Sequence, residues 1–516
     1  MKLCKTAEEV IMEVTGVKPI DQITKANEWN SWYRGKVDFF HNYRLFNGKN
    51  YVDMEKKSLL MAKTVCEDWA DLLANENNKI AVSDDDDVVL NEIFERNNFR
   101  SQLNRGIENT FAVGNGAFLL GLTNFDIAKD TKLIIGSDKT DIRIDFINYF
   151  DMRILNIDHN VITECAFISH NTNYDEVSIH TKNELGNYII RNFKITEDEV
   201  IPTLMIDTKS PTAWFFHIKP NINNNSFISN NLGMSIFANA IDVLKGIDDI
   251  FDAFTTEYVL ARMKVFVSAG AYKMVPDPDN GGKVVKTFDP YDTLFYDLPV
   301  GDETEKKPMI QTEAPTIRDQ AYLTGINTLL NLLSKKCGFG TERYKFDKSG
   351  IMTATQVISE NSDMARSLRK HENLLRNVLK NMTFAIKEIV NNYVPKYKLS
   401  DFKYSDINVM FDDSIIEDKG AIQERDRLDV QAGLMSRVEY RMKHYGQNKE
   451  DAEEDIRDYF LYDALDKYTN ALQNGVITPE EFVEKVYGEE KPDIVEYIKE
   501  NLKKDSMNPL ELFEEQ

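Results

Sequence analysis

The chain has 516 residues, 42% of them hydrophobic and 28% charged, with a formal net charge of −23. That length exceeds a single core and implies several structural units of an ordinary folded protein. So large an acid excess argues against simple electrostatic capture of DNA or of an anionic membrane. Cys4, Cys66, Cys165 and Cys337 show neither metal-ligand spacing nor a disulfide framework, as expected of synthesis in a reducing cytoplasm. Glu8 and Glu9 fall within the first ten residues, so no secretion signal is expected. No apolar run reaches the ~18 residues of a membrane span.

Residues 1–125 are predicted to be mainly helical. After Trp29-Asn-Ser-Trp-Tyr-Arg-Gly35 a helix is expected from Lys56 to Leu73, with Leu59, Ala62, Val65, Cys66, Trp69 and Leu73 on its buried face. Asp84 to Asp87 read as a solvated loop rather than a metal site, because contiguous like charges repel. A further helix is expected over Phe99–Leu122, ending in Ala112-Val-Gly-Asn-Gly-Ala-Phe-Leu-Leu-Gly121. Gly114 and Gly116 make no phosphate cradle, since no lysine or strand–helix context accompanies them. From 126 to 232 the pattern turns to strands, at Leu133–Ile135, Ile142–Phe146, Val161–Ser169, Glu176–His180 and Tyr188–Arg191. His159, His170 and His180 lack a fixed ligand spacing and read as surface histidines.

Gly233–Lys264 is predicted to be a helix of ~30 residues, about 45 Å long, with Phe237, Ile241, Leu244, Ile247, Phe251, Phe254, Tyr258 and Ala261 on one stripe. Residues 265–314 read as a β-rich insert, with strands at Val265–Val267, Val284–Phe288 and Thr293–Tyr296 and a turn at Pro276–Gly282. Thr316 is expected to cap a second helix bearing Ile326, Leu329, Leu330 and Leu333, closed by Gly338 in the left-handed conformation. The chain therefore leaves its body by one helix and returns by another, which argues for a projecting interaction module. A basic and aromatic loop follows, with Arg343, Tyr344, Lys345, Phe346 and Lys348. A long helix then opens at Thr353 and runs through Leu368, Leu375, Val378, Leu379, Met382, Ile386 and Ile389 until Pro395. A short strand is expected at Ile407–Phe411, then a helical C-terminal region in which Thr478 caps a helix with Pro479 first.

Leu330-Asn-Leu-Leu-Ser-Lys-Lys-Cys-Gly-Phe-Gly-Thr341, Phe346-Asp347 and Thr353-Ala-Thr-Gln-Val-Ile-Ser-Glu-Asn-Ser362 resemble portal proteins of tailed bacteriophages, in the branch of phages and prophages of Gram-positive bacteria. Trp32–Gly35, Lys63–Asp68 and the glycine segment resemble the wing of that family, and Gln431–Arg441 its entry into the crown. The resemblance is densest over 316–376 and thinnest in the last ~40 residues; Gln356, where glutamate is common, and the basic loop depart from the pattern. It implies an α+β, multi-domain ring subunit. The wing would comprise 1–232 (helical to 125, strand-rich from 126), and 233–264 would be the outer stem helix. The clip would be 265–314, the inner stem helix 315–337 and the tunnel loop 338–352. The long wing helix and its return would occupy 353–420, and the crown 421–516.

The resemblance further implies a homo-oligomer, of twelve subunits in the virion, that conducts double-stranded DNA without reading its sequence. Its partners would be the terminase large subunit, the major capsid and scaffolding proteins, and a head-completion or adaptor protein. Its place would be the capsid portal vertex, with assembly in the host cytoplasm. Arg343, Tyr344, Lys345, Phe346 and Lys348 would face the DNA channel; Pro276, Asp277, Asn280, Lys283 and Lys286 would meet the terminase or adaptor. No cofactor, metal ligand or catalytic residue is expected. From 421 to 516 there are 24 Asp/Glu against 13 Lys/Arg, a net −11, which suits a conduit through which DNA slides. The chain has no Gly-x-x-x-x-Gly-Lys-Ser/Thr loop, no Gly-x-Ser-x-Gly elbow and no His-Glu-x-x-His helix. The competing readings are another head–tail connector, and a metal-dependent enzyme built on Asp84–Asp87 or Asp412-Asp413.

Overall fold

The computed structural model describes residues 6–46, 48–75, 78–127, 134–225, 231–262, 264–268, 274–276, 284–286, 294–298, 310–313, 315–344, 354–411, 419–445, 449–487, 495 and 498–499. The chain divides into two units, Met1–Ile416 and Glu417–Gln516. The first begins with helices α1 (Ala7–Thr15), α2 (Ile23–Tyr33) and α3 (Asp38–His41), then a hairpin of β1 (Asn42–Phe46) and β2 (Tyr51–Glu55). Next come α4 (Met61–Leu73), β3 (Lys79–Ala81), α5 (Asp84–Arg96) and α6 (Phe99–Val113). The helix expected from Lys56 starts only at Met61, because the backbone of Lys57 and Leu59 is held by aspartates of another helix, as described below. The one expected to reach Leu122 stops at Val113, where Gly114 takes φ 92°, and the chain continues as a strand. The β1–β2 hairpin lies in what read as helical sequence.

A run of strands follows in the first unit. β4 (Gly116–Thr123) lies between β7 (Asp141–Asn148) and β13 (Phe215–Ile218) in a three-stranded sheet, and β5 (Asp126–Ile127) pairs β6 (Ile134–Ile135). β8 (Met152–Asp158), β9 (Val161–His170), β10 (Asp175–Lys182), β11 (Tyr188–Ile195) and β12 (Val200–Asp207) form an antiparallel meander in that order. Successive residues of a strand face opposite sides, and here both sides are covered. Ala166, Ile168, Val177 and Ile179 pack on Val10 and Ile11 of α1. Cys165, Phe167, Tyr188 and Ile190 join the main core. His180 belongs to that second face: it is 1% exposed, and burial lowers its pKa to about 3, so it is a neutral core residue rather than a surface one. His170 pairs with Asp175 at the far end of β10, and His159 is exposed.

α7 (Ile241–Leu260) follows, then β14 (Lys264–Ser268), β15 (Met274–Pro276), β16 (Val284–Lys286), β17 (Leu294–Leu298) and β18 (Ile310–Glu313). β14 is central, parallel to β17 and antiparallel to β18, while β15 and β16 form an antiparallel pair. α8 (Asp319–Lys336) and α9 (Ala354–Tyr393) come next, and β19 (Asn408–Met410) pairs back onto β3. α7 is 20 residues rather than ~30, preceded by a 3-10 turn at Ala238–Ala240. The second unit holds α10 (Lys419–Gln431), α11 (Arg437–Tyr445), α12 (Lys449–Gln473) and α13 (Pro479–Tyr487). Thr478 and Glu481 exchange capping bonds at the start of α13, as its sequence predicts. Leu472, Phe482, Val483 and Val486 belong to its small core.

Asp84–Asp87 are not a solvated loop. They form the first turn of α5, a position at which the positive end of a helix favours carboxylates. Asp86 is 4% exposed and accepts from Ser83 Oγ at 2.7 Å, from the Ser400 amide at 2.8 Å and from Ser400 Oγ at 2.5 Å. Asp87 accepts from the Val82 amide at 2.7 Å. Burial alone would raise the Asp86 pKa, but the bonds from Ser400 and Ser83 outweigh it and hold the group below its usual value. Among the described residues no group of three His, Cys, Asp or Glu is placed to hold a metal ion. Asp412 and Asp413 lie outside the described residues.

This packing can be tested at two points. Gly233 and Gly114 meet backbone to backbone; a Cβ on Gly233 would lie 1.8 Å from the Gly114 carbonyl oxygen. Gly233→Ala should therefore destabilise the first unit by about 1–3 kcal/mol in urea unfolding. Asp86→Ala should cost about 1–3 kcal/mol at pH 7 by stranding the donors of Ser400 and Ser83. Because the folded pKa is lowered, this contribution is fully present above the unfolded carboxylate value of about 3.9. It fades as pH falls through the lower folded value, so the gap between wild type and variant should narrow below about pH 4.

Candidate functional site

The segment after α8, where basic and aromatic residues alternate, begins on a firm base. α7 and α8 run antiparallel. Glu257 meets Arg318, the Phe254 and Tyr322 rings lie 5.6 Å apart, Gly325 faces Ile250, Gly246 faces Leu329, and Lys336 Nζ donates to the Asn239 carbonyl. Two glycines at the crossing bring the helices close. The expected Thr316 cap is absent, since the helix starts at Asp319 without a side-chain cap bond. Glu257 takes over the anchoring. Its carboxylate accepts from Arg318 Nη2 at 2.7 Å, from the Arg318 amide at 3.1 Å and from the Tyr322 hydroxyl at 2.5 Å. Chiefly through the Arg318 side chain, these bonds hold its pKa at about 2.

α8 buries Ile326, Leu330, Leu333 and Ser334 and ends at Cys337, with Gly338 at φ 90° as its sequence predicts. The chain then turns onto Trp69 of α4. Trp69 Nε1 donates to the Cys337 carbonyl at 3.0 Å, and the Trp69 ring stacks on Phe339 at 4.5 Å. Tyr344 meets Phe339 edge-on at 5.7 Å, and His371 of α9 meets Trp69 at 4.9 Å and Phe111 at 5.1 Å. His371 Nδ1 accepts from the Asn221 amide at 3.0 Å. Burial lowers its pKa to about 3, so it serves as a neutral aromatic. Burial, with the Asp68 carboxylate beside it, pushes the Tyr344 phenol far above its usual value. Arg343 keeps its side chain 37% exposed, 3.5 Å from Asp68, with its guanidinium 5.8 Å from the Phe339 ring.

Of the five predicted channel residues, Arg343 and Tyr344 are thus placed, and Lys345, Phe346 and Lys348 lie outside the described residues. Of the predicted insert contacts, Pro276 ends β15 opposite Val284, and Lys286 pairs with Met274. Asp277, Asn280 and Lys283 lie outside the described residues. Asp68, Trp69 and His371 hold the segment in place, a role that sequence reasoning misses. Their residue types carry no signal for it, because the contacts join positions far apart in the chain. Cys66 and Cys337 are buried beneath the same turn, and burial pushes both thiols up, Cys337 to about 12, so neither is a nucleophile. No described helix is long and apolar enough to cross a membrane.

Comparison with known proteins gives one decisive result. Residues 20–461 match the family model described as phage portal protein, SPP1 Gp6-like. No curated protein matches the chain. Among solved structures it is similar to a chain in the neck of a native gene transfer agent particle determined with C12 symmetry. There the identity is 9%, with 85% of this chain and 99% of that one covered at a TM-score of 0.39. A chain in the neck of an empty particle, with C6 symmetry, gives 10%, 74% and 88% at 0.39. A chain in the virion of a native gene transfer agent gives 10%, 74% and 88% at 0.32. A family match that spans all but the ends of the sequence, with both antiparallel helices and the aromatic turn inside it, places this chain in the SPP1 Gp6-like family of phage portal proteins.

Proposed function

We propose that copies of this portal vertex subunit close into a ring that gives double-stranded DNA one way in and out of a capsid. The observation that carries the reading is the family match over residues 20–461. The antiparallel α7–α8 pair supports it, since its two helices lead out to the strands β14–β18 and back. On this reading 233–264 and 315–337 are outer and inner stem, 265–314 the clip, 338–352 the tunnel loop and 421–516 the crown. Residues 1–232 and 353–420 make the wing. The number of copies that fits the reading is twelve, in the virion at the portal vertex, after assembly in the host cytoplasm with capsid and scaffolding proteins. The role is structural and needs no catalytic group or cofactor.

The clip is the surface offered to the terminase motor during packaging and to the head-completion protein afterwards. Arg343, Lys345, Phe346 and Lys348 line the narrowest part of the conduit, and Tyr344, expected with them, supports them from behind by packing on Phe339. Repetition around the axis multiplies weak phosphate contacts without reading sequence.

Electron microscopy and mass measurement of the purified full-length protein should find rings with a central channel; monomers alone at assembly concentrations, with capsid and scaffold present, would refute the ring. Arg343→Ser with Lys345→Ser and Lys348→Ser should leave rings and procapsids intact while altering packaging completion or DNA retention, in a salt-dependent way. Full-length packaging and normal retention at every salt concentration would remove these residues from the channel. Substituting Pro276 to Gly282 should weaken terminase binding, read by pull-down, while rings still assemble.

A further inference from the structure

The β1–β2 hairpin takes no part in the site above. Every strand residue in it is exposed, on both faces. Tyr51 is 71% exposed, Phe46 56% and Leu45 54%, and Phe39, just before the hairpin, 73%. Tyr43, Val52 and Met54 are also exposed. A two-stranded hairpin with so little cover is marginal in water by itself.

Its root, by contrast, is fixed by several bonds. Asp248 of α7 is 4% exposed and accepts from His41 Nε2 at 3.1 Å, from Ser58 Oγ at 3.0 Å and from the Leu59 amide at 2.8 Å. His41 Nδ1 accepts from the Val37 amide at 2.9 Å, so Nε2 carries the proton that Asp248 receives. Asp248 therefore grips the chain just before β1 and just after β2. Lys56 Nζ adds a bond to Asp249 at 2.7 Å, and the Lys57 amide one to Asp252 at 3.2 Å. Serine, histidine and aspartate meet here, but both partners donate to the carboxylate, so the serine is not activated as a nucleophile. A buried carboxylate is committed to aiming a hairpin whose apolar surface stays uncovered by the described residues.

The occupant follows from area, charge and symmetry. The seven exposed apolar side chains present about 800 Å² together, divided between two faces. Phe46 and Tyr51, paired across the strands, share one, and Tyr43, Leu45, Val52 and Met54 the other, so either face can supply part of one partner's share of a standard interface. Copies of a chain with net charge −23 repel one another, yet the hairpin is neutral, with Arg44 and Lys49 balancing Asp53 and Glu55. A ring needs a donor patch and a different acceptor patch on every copy. The same unit carries an open apolar pocket of about 330 Å³ between α7 and α8, lined by Leu59, Ile250, Phe251, Phe254, Tyr322 and Leu323. Five-residue strands reach about 17 Å, enough to cross a neighbour's pair of helices spaced about 8–10 Å apart.

We propose that the β1–β2 hairpin is a contact between copies, seating Phe46 and Tyr51 on the α7–α8 pocket of the next copy. This rests on the ring reading given above. The test uses the full-length protein. Phe46→Ser with Tyr51→Ser removes only exposed side chains, so thermal unfolding of the isolated subunit should be unchanged. Mass photometry should show the concentration needed for rings rising at least tenfold. In assembled rings, Tyr51→Cys with Leu323→Cys should cross-link adjacent copies through a short bismaleimide, where neither single variant does. If the serine variant forms rings at the wild-type concentration, or the cysteine pair gives no cross-link between copies, the proposal is wrong while the ring stands. If wild type forms no rings at all, both readings fall.

Discussion

The first unit depends on one buried stripe. Met364, Leu368, Leu375, Leu379, Met382, Ile386 and Ile389 of α9 are all nearly inaccessible to solvent. At a rise of about 1.5 Å per residue, the 40 residues of α9 span about 60 Å. Against this helix pack β13, α4, β19 and β7, elements drawn from the whole of the unit. Each such side chain contributes about 1.5–3 kcal/mol on burial. No neighbour can be shifted along α9 without opening voids beneath the others, because interiors are close-packed. The opposite face, with Asn373, Asn377 and Asn381, stays exposed.

Two of the carboxylates in this interior sit where donors converge on them. Asp86 and Asp248 are both nearly inaccessible, and each accepts three bonds. Two of those to Asp86 come from the distant Ser400, and all of those to Asp248 come from the segments flanking the hairpin. A buried carboxylate without such partners would be very costly, so each locks the position of the segments that supply its donors, and removing it strands those donors. His180 and His371 take the other route: burial keeps them neutral, and they pack as aromatics. The fold thus separates its two uses of polarity. Carboxylates fix where distant segments meet, and neutral imidazoles fill aromatic clusters.

What is legible in the sequence is periodic. The stripe of α9, the buried face of α8, the Gly338 closure and the Thr478 cap all come from local spacing, and all have the predicted form. The strands of the meander are partly legible, but β8 and β12 are not, since their ladder partners rather than their own composition define them. Asp84–Asp87 mislead because four like charges look like a solvated loop, whereas they open a helix and the remote Ser400 satisfies the buried Asp86. Thr316 misleads because one hydroxyl suggests a cap, whereas Glu257 on another helix anchors α8 through Arg318 and Tyr322. The hairpin is hidden because its alternation is weak and its apolar residues serve no core. The deciding contacts in these misses mostly join residues distant in sequence.

If the proposed channel placement of the aromatic turn holds, its contacts bear on how a conduit can hold DNA without gripping it. Composition alone puts three cations within Arg343–Lys348. Arg343, however, stands 3.5 Å from Asp68, so part of its charge is already answered within its own chain. An exposed pair of this kind is worth under about 1 kcal/mol and is screened by salt. It can therefore exchange Asp68 for a phosphate at small cost in either direction. Trp69, Phe339 and Tyr344 meanwhile hold the backbone that carries it. On the channel reading proposed for this loop, a firm backbone with a weakly committed cation would give shallow wells along a passing duplex, the condition for sliding. A free arginine would bind phosphate more deeply, and one locked in a buried pair would not reach it.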